Sequence, residues 1–220
     1  MKNIAIIPAR GGSKRLPRKN ILDLNGMPMI AYPILAAIKS KVFDDVIVST
    51  EDIEIAEISK KYGATVINRS IDLTQDKSTV AQVCLSVINQ IHVEIFCCIY
   101  ATAALLQSET IRGSYQMFLN DKDINYLMGV SEYNYSPVQA LIENKYGELS
   151  YLMPDYVGIQ SQNYPKLVVS NGSFVWGRAR QFQQDKLFYS EKLKGYLVSE
   201  NEVCDIDSAL DYEKLKARFS

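Results

Sequence analysis

Histidine is almost absent from the 220-residue chain: there is one, His92, near the end of a predicted helix. A single histidine excludes catalysis by a histidine pair and metal sites that are rich in histidine. The four cysteines, Cys84, Cys97, Cys98 and Cys204, form no C-x-x-C pair, so we interpret them as reduced, partly buried thiols of a cytosolic protein. Cys97 and Cys98 are neighbours on a predicted strand and should face opposite sides of a sheet.

Long apolar runs and a strong net charge are also missing. No stretch approaches the ~18 consecutive apolar residues of a membrane span, and the first residues show no signal-peptide pattern, so we expect a cytoplasmic protein without membrane contact. Basic and acidic residues number 24 and 25, a formal net charge of -1, which argues against general nucleic-acid binding. The 47% hydrophobic and 22% charged residues are typical of a globular protein.

Apolar segments alternate with amphipathic ones along the first two thirds of the chain. Strands are predicted at NIAIIPA, DDVIVST, ATVIN, VEIFCCIYA and YLMGVSE, and helices between them at PMIAYPILAAIKS, DIEIAEISKKYG, STVAQVCLSVINQI and SETIRGSYQMFLN. This order predicts an α/β fold with an open, mostly parallel, doubly wound sheet. Ligands of such sheets bind beyond the carboxyl ends of the strands, so the loops after Ile7, Ser49, Ile67 and Tyr100 are candidate sites.

The pattern changes after about residue 133, where tyrosines and short alternating runs surround a turn at Lys145-Tyr146-Gly147. This part predicts a hairpin within an excursion from the main sheet, over about residues 134–172. The chain then returns with the strand SFVWG, a short helix near 178–183, the strand GYLVS and the final helix SALDYEKLKARF. Because no repeat or linker divides the chain, we expect a single domain over residues 1–220.

Residues 6–20, IIPARGGSKRLPRKN, place five basic residues and two adjacent glycines directly after the first strand. The spacing matches neither the phosphate-binding P-loop nor the dinucleotide-binding fingerprint. Glycines let the backbone approach a ligand closely, and Arg10, Lys14, Arg18 and Lys19 could neutralise a polyphosphate. A solvated basic loop explains the composition equally well, but the position at the carboxyl end of a strand favours anion binding.

Asp205 and Asp207 alternate on a short extended segment, CDIDSALDYE, before the last helix. Both carboxylates should face the same side, and a hard cation such as Mg²⁺ between them would relieve their repulsion. The alternative is that Asp207 caps the helix or interacts with the helix dipole, while Asp205 is merely exposed. Together with the basic loop, the pair favours a metal-assisted reaction of a nucleotide.

Three segments, IAIIPARGGSKRLPRKNILDLNGMPMIAYPI, FDDVIVSTEDIEIAEISKKYGATV and DIDSALDYE, resemble the acylneuraminate cytidylyltransferases, which are the CMP-sialic acid synthetases and their relatives. The similarity extends over essentially the whole chain. FCCIYATAALL and SFVWG resemble the CMP-pseudaminic acid synthetase branch in particular. The resemblance implies a Rossmann-like nucleotidyltransferase domain of the nucleotide-diphospho-sugar transferase type. It also implies Mg²⁺ as cofactor, CTP and a nine-carbon 2-keto sugar acid as substrates, and CMP-sugar and pyrophosphate as products.

The same resemblance implies roles for individual residues. Catalytic residues would be Arg10, Lys19 and Asp207, and the metal ligands would be Asp205 and Asp207, one of which could assist deprotonation of the sugar hydroxyl. The nucleotide would contact Arg10, Gly11, Gly12, Lys14, Lys19, Asn20, Arg69, Tyr100, Ala101 and Thr102. The sugar acid would contact Gln160, Gln162 and Asn171. The excursion resembles a dimerisation element that closes over the neighbouring subunit's sugar site, so a homodimer is expected.

Several positions depart from the pseudaminic branch. Ala104 stands where that branch has a proline, Gln160 stands in place of an arginine, and Val169-Ser170 replace an ionisable pair. Because of the resemblance, pseudaminic acid is the first expectation for the sugar acid. Loss of an arginine weakens discrimination for a carboxylate, so N-acetylneuraminate and legionaminate are alternatives. An enzyme acting on an eight-carbon acid, a metal-dependent glycosyltransferase and a nucleotide-binding relative without turnover are further alternatives.

Overall fold

The structure is a computed structural model that describes residues 2–75, 77–133 and 135–219. The helices are α1 Ala31–Ser40, α2 Ile53–Lys61, α3 Val80–Ile88, α4 Ser108–Asn120, α5 Ala179–Asp185 and α6 Ala209–Lys216. The strands are β1 Asn3–Pro8, β2 Asp23–Leu24, β3 Met27–Pro28, β4 Asp45–Thr50, β5 Thr65–Asn68, β6 Ile95–Ile99, β7 Tyr126–Glu132, β8 Leu141–Glu143, β9 Leu149–Tyr151, β10 Val168–Arg178 and β11 Leu193–Leu197.

The centre of the fold is a seven-stranded sheet in the order β11-β7-β10-β6-β1-β4-β5. β10 runs antiparallel to both of its neighbours, and the other pairs of this sheet are parallel. The predicted α/β class and mostly parallel sheet are therefore confirmed. The insertion of β10 between β6 and β7 was not predicted, because a pairing between distant segments leaves no local pattern in the sequence.

Alternate residues of the central strands face two separate layers of helices. Ala5 and Cys97 belong to the core shared with α1, α2 and α4, whereas Ile6 and Cys98 belong to the core shared with α3 and α5. The prediction that the adjacent cysteines face opposite sides is confirmed. Burial of an isoleucine side chain such as that of Ile6 contributes roughly 1.5–3 kcal/mol, so a sheet covered on both faces is stable without disulfides.

Three helices begin at capping residues. Asp52 accepts a hydrogen bond from the Ile55 N–H at the start of α2, and Thr79 forms a capping box with Gln82 at the start of α3. At α6 the cap is Ser208, which forms a capping box with Asp211. The alternative that Asp207 caps this helix is therefore wrong, and its carboxylate is left for other partners.

α6 packs against the chain that follows β1. Leu16, Leu24 and Met29 form a small core with Ile206 and Leu215, all buried. This packing ties the last helix to the opening loop, although the two lie at opposite ends of the sequence. The D-x-D segment around Ile206 is consequently held beside the basic loop.

β8 and β9 form the predicted hairpin, with Gly147 at a positive φ of 81° in the turn. Near the predicted end of the excursion, Val168, Val169 and Ser170 pair with β7 as the first part of β10. The β-branched side chains of the two valines favour this extended pairing. Residue 134, the predicted beginning of the excursion, lies outside the described residues.

No helix in the described part of the chain combines the length and apolar character that crossing a membrane requires.

Candidate active site

A cavity of about 480 Å³ opens beyond the carboxyl ends of β1, β5 and β6. Its walls come from the opening loop, the segment after β5, the start of α3 and the residues that follow β6. The structure brings together eight predicted nucleotide-binding residues in its lining: Arg10, Lys14, Lys19, Asn20, Arg69, Tyr100, Ala101 and Thr102. Gly11 and Gly12 belong to the same loop but do not line the cavity.

The glycine turn of the opening loop is fixed by contacts with its neighbours. The Gly11 N–H donates to Glu51 Oε1 at 2.8 Å, and the Asn20 side-chain amide donates to the Arg10 carbonyl at 3.0 Å. A Cβ on Gly11 would collide with the Asp52 carboxylate, so the close approach of the two loops requires glycine here. The Gly11 N–H is thus donated to Glu51 rather than to an anion in the cavity.

Arg18 is not part of the cavity lining, and it anchors the loop to α2. Its guanidinium pairs with the carboxylates of Asp52 and Glu54. The hydrogen bond from Arg18 lowers the pKa of Asp52, with further help from the Ile55 N–H. Arg18 itself has a positive φ of 57°, which places the chain in position to start the 3-10 turn Lys19–Ile21. Its role in the fold is therefore to hold the loop.

Lys19 joins the opening loop to the D-x-D segment. Its Nζ donates to the Ile206 carbonyl at 2.7 Å and lies 3.5 Å from Asp207 Oδ1. Arg15 Nη1, also on the cavity, lies 2.8 Å from Asp207 Oδ2. Asp205 is exposed, and Ile206 between the two aspartates is buried, as expected for an extended segment. One of the two predicted metal ligands is therefore in contact with the basic loop.

The two aspartates form an open set of donors. Within residues 2–75, 77–133 and 135–219, no group of three His, Cys, Asp or Glu side chains could enclose a metal ion. Mg²⁺ is usually held by one or two carboxylates together with substrate phosphates and water, rather than by a full cage of protein ligands. The donor chemistry of Asp205 and Asp207 therefore fits Mg²⁺ in the presence of a triphosphate.

Arg69 forms part of the cavity floor and is almost completely buried. Its side chain is 4% exposed, and its Nη2 donates to the Ser49 carbonyl at 2.7 Å. Burial lowers the pKa of this guanidinium, and the nearby Glu51 opposes that effect. Arginine nevertheless stays charged in proteins, so the floor of the cavity carries a fixed positive charge.

Tyr100 leads into the segment that closes the other side of the cavity. Its N–H donates to the Ser173 carbonyl of β10 at 3.0 Å, and its own carbonyl accepts from the Ala103 N–H in a tight turn. Burial raises the pKa of the phenol, with additional contributions from Cys98 and Cys84. Tyr100 therefore presents a neutral hydroxyl and an aromatic ring to the cavity.

The predicted sugar-binding residues do not meet in the lining of this cavity. Gln160 and Gln162 are exposed in the excursion, where the Gln162 amide donates to Gln160 Oε1 at 2.9 Å. Asn171 lies on β10, and its Oδ1 accepts from the N–H and the hydroxyl of Ser173 at 3.2 and 2.6 Å. Its amide donates to Ser131 Oγ at 3.1 Å. These contacts engage Asn171 within its own chain.

Sequence reasoning missed Glu51 and Asp52, which hold the glycine turn and Arg18. The loop after Ser49 is a candidate site on the sequence alone, but a pair of acidic residues after a strand carries no pattern that reveals its partners. Arg15 is not among the basic residues that the sequence assigns to a polyphosphate. In the structure Arg15 lines the cavity and pairs with Asp207.

A family profile described as cytidylyltransferase matches residues 4–147, which is more than half of the chain. The chain belongs to the cytidylyltransferase family. The matched range contains strands β1 to β8, except Asn3 at the start of β1, and the whole lining of the cavity. The D-x-D segment and α6 follow it.

Two curated relatives align with the cytidylyltransferase over nearly all of its length. The pseudaminic acid cytidylyltransferase of Campylobacter jejuni subsp. jejuni serotype O:2 is 34% identical over 226 residues, covering 100% of this chain and 97% of the relative. The CMP-N,N'-diacetyllegionaminic acid synthase of Legionella pneumophila is 32% identical over 221 residues, covering 96% of this chain and 94% of the relative. The cytidylyltransferase is therefore similar from end to end to enzymes named for two different sugar acids.

Among solved structures, the cytidylyltransferase is similar to a CMP-2-keto-3-deoxy-manno-octonic acid synthetase complexed with CTP. The TM-score is 0.76 at 17% identity, covering 100% of this chain and 98% of the other. At that identity the likeness shows the fold alone. The Rossmann-like α/β fold of this chain is thus shared with that solved structure.

Proposed function

We propose that the protein transfers CMP from CTP to a nonulosonic acid, and that this acid is pseudaminic acid. The observation that carries the proposal is the meeting of Lys19, on the basic loop, with Asp207, on the D-x-D segment. That meeting offers positive charge for a triphosphate and carboxylates for a divalent cation at one cavity. The full-length similarity to a pseudaminic acid cytidylyltransferase supports the choice of sugar acid.

In the proposed reaction the oxygen of the anomeric hydroxyl attacks the α-phosphorus of CTP. A new P–O bond forms to the sugar, the bond between the α-phosphorus and the bridging oxygen of the β-phosphate breaks, and pyrophosphate leaves. The hydroxyl proton passes to a carboxylate or to water. No covalent enzyme intermediate is required, so positioning and charge neutralisation provide the catalysis.

Each part of the cavity has a proposed role in that reaction. Arg10, Lys14 and Lys19 neutralise the triphosphate, and Arg10 and Lys19 continue to do so as negative charge grows on the pyrophosphate. Asp205 and Asp207 hold Mg²⁺, which when bound withdraws charge from the phosphate oxygens. Because Asp207 contacts Lys19, we assign it to the reacting phosphate.

Cytidine is assigned to the part of the cavity away from the D-x-D segment. Asn20 and Arg69 provide polar groups there, and Tyr100, Ala101 and Thr102 provide a mixed apolar and polar wall. Small-molecule sites typically combine an apolar wall with a few placed polar groups. Gly11 and Gly12 keep the loop compact enough for the basic side chains to face the ligand.

We also propose a homodimer formed through the excursion. All six residues of β8 and β9 are exposed, and they include Leu141, Ile142, Leu149 and Tyr151. A two-stranded hairpin is marginal in water when nothing covers it, and a contiguous apolar surface usually marks an interface. A second copy of the chain is the occupant that would also bring Gln160 and Gln162 to a neighbouring cavity. Asn171 would contribute to the sugar side from β10.

The test is an assay of pyrophosphate release by the purified protein with CTP and Mg²⁺. The panel of acids should contain pseudaminic, N,N'-diacetyllegionaminic and N-acetylneuraminic acids and the eight-carbon 2-keto-3-deoxy-manno-octonic acid. We expect the highest kcat/KM with pseudaminic acid. A higher value with another nine-carbon acid would correct the substrate alone, and preference for the eight-carbon acid would overturn the nonulosonic assignment. CTP binding by calorimetry without pyrophosphate release from any acid would favour a non-catalytic relative.

A further inference from the structure

Glu51 lies between two parts of the candidate site that the sequence separates. It is the first residue after β4, and its Oε1 accepts the Gly11 N–H at 2.8 Å. Its other carboxylate oxygen, Oε2, faces Arg69 Nε at 3.9 Å. One side chain thus contacts the glycine turn on one side and approaches the buried guanidinium on the other.

The sheet topology explains this arrangement. β4 lies between β1 and β5, and all three strands are parallel, so the residues that follow them emerge at the same edge. Arg69 comes directly after β5, and its N–H donates to the Thr50 carbonyl at the end of β4. The neighbouring Asp52 is committed to Arg18 and to the start of α2. Glu51 is therefore the carboxylate that connects the first loop with Arg69.

The two facing atoms are unusual because both are buried and neither has a hydrogen-bond partner among the described residues. A buried charge without a partner is costly, so such atoms persist where the surrounding structure holds them in place. At 3.9 Å the attraction between the charges is retained, but the Arg69 Nε–H is not consumed by a closed hydrogen bond. Arg10 is close enough for its like charge to act on Arg69, so the carboxylate also moderates the repulsion between these two arginines.

We infer that Glu51 is a positioning residue that sets the glycine turn with one carboxylate oxygen and holds Arg69 toward the cavity with the other. It need not touch the ligand, since it does not line the cavity and acts through Gly11 and Arg69. The arrangement keeps a charged guanidinium ready for a nucleotide before the nucleotide arrives. The identity of the ligand as CTP rests on the proposed function.

The substitution Glu51→Gln separates this role from simple support of the fold. A glutamine has the same shape and can still accept the Gly11 N–H, but it then turns an NH₂ donor toward the Arg69 Nε–H. If the amide flips, the donor meets the Gly11 N–H instead, so one of the two contacts is lost in either orientation. The matched control is Glu57→Gln, which makes the same change in charge at an exposed position of α2.

CTP binding is measured by isothermal titration calorimetry for both variants. Loss of one charge-assisted contact predicts an affinity about tenfold weaker for Glu51→Gln, and an unchanged affinity for Glu57→Gln. In an Arg69→Gln background the Glu51→Gln change should have little further effect, because the cation that the carboxylate holds is absent and the glutamine at position 51 can still accept the Gly11 N–H. Equal or tighter CTP binding by Glu51→Gln, or a full additional loss in the Arg69→Gln background, would overturn the inference.

A second measurement does not depend on the ligand, and its first part, on the wild type, does not depend on the stability of a variant. In the free wild-type protein, we expect the Arg69 Nε–H to give a distinct nuclear magnetic resonance signal that exchanges slowly with water. In Glu51→Gln that signal should shift and exchange faster. An averaged, rapidly exchanging Arg69 signal in the wild type contradicts the positioning role. If the wild type keeps the slow signal but binds no CTP, the proposed function fails while the positioning role stands.

Discussion

Lys19 Nζ donates a 2.7 Å hydrogen bond to the carbonyl of Ile206, a residue 187 positions later in the chain. The same ammonium lies 3.5 Å from Asp207 Oδ1, and its side chain is 21% exposed. A cation that is largely shielded from solvent interacts more strongly with neighbouring charges than a cation in open solvent does. We therefore expect Lys19→Ala to lower kcat/KM for CTP by about 100-fold, since it removes both a phosphate contact and the link to the D-x-D segment.

Arg15→Ala provides the comparison for Lys19→Ala. Arg15 also pairs with Asp207, but its side chain is 74% exposed, and exposed ion pairs contribute little. The expected change in kcat/KM is within about threefold, which corresponds to less than ~1 kcal/mol. Steady-state kinetics with varied CTP measures both variants. Equal losses from the two changes would mean that the loop acts as a diffuse basic patch.

Asp207→Asn tests the proposed metal site. Asparagine keeps the size of the side chain but removes the charge that attracts a divalent cation. Electron paramagnetic resonance of Mn²⁺ titrated into the protein with CTP should show an affinity at least ~10-fold weaker than in the wild type. Glu213→Gln, an exposed position on α6, is the control and should bind Mn²⁺ as the wild type does. Unchanged Mn²⁺ binding by Asp207→Asn would remove Asp207 from the metal site.

Elements governed by local patterns could be predicted from the sequence, whereas contacts set by packing could not. The helix predicted at SETIRGSYQMFLN coincides with α4, because its apolar positions recur at helical spacing. The basic loop and the D-x-D pair could each be recognised. Their contact depends on Ile206 and Leu215 packing against Leu16, which is a tertiary event. The role of Glu51 was hidden for the same reason, since Arg69 reaches it only through the pairing of β4 with β5.

Gly129→Ala should destabilise the protein by disturbing β10, the strand whose Ser173 carbonyl accepts the Tyr100 N–H. A Cβ at this position would collide with Ser173 Oγ and lie 3.1 Å from Asn171 Oδ1, so Asn171 and Ser173 could not keep their hydrogen bonds. Overpacking of this kind typically costs about 1–3 kcal/mol. Urea unfolding of Gly129→Ala measures the loss.

Two further variants test the cause of that loss. Adding Ser173→Ala to Gly129→Ala removes the hydroxyl that collides, so the pair should be more stable than the sum of the single changes predicts. Gly12→Ala, where nothing lies within 4 Å of the added Cβ, should leave the unfolding free energy unchanged within ~0.5 kcal/mol. Strict additivity of Gly129→Ala and Ser173→Ala would show that the collision is not with Ser173.

The Arg18–Asp52 pair should make part of the stability dependent on pH in the acid range. Arg18 lowers the pKa of Asp52 from its ordinary value of 3.8, so the folded state binds this proton less readily than the unfolded chain. The contribution is therefore fully present well above pH 3.8 and is lost as the pH falls through the lowered folded-state pKa. Asp52→Asn isolates the charge, because asparagine also caps helices well.

Unfolding by urea at several pH values checks this sign. The difference in unfolding free energy between wild type and Asp52→Asn should not vary with pH around pH 6. It should shrink as the pH falls below about 3.8. Glu57→Gln on the same helix makes the same change in charge at an exposed position and is the control. A difference that grows as the pH falls would contradict the lowered pKa of Asp52.

Leu149→Asp should disrupt the proposed homodimer. Leu149 is 62% exposed on β9, and a charge placed in an apolar interface must lose its hydration when two copies meet. Light scattering after size-exclusion chromatography should give twice the mass of one chain for the wild type and the mass of one chain for Leu149→Asp. Tyr189→Asp is the matched control, because Tyr189 is 66% exposed outside the excursion and the variant should stay dimeric. A wild-type protein that is monomeric would contradict the interface. If Gln160 and Gln162 serve the partner's cavity, the monomeric Leu149→Asp variant should still bind CTP, but its KM for the sugar acid should rise.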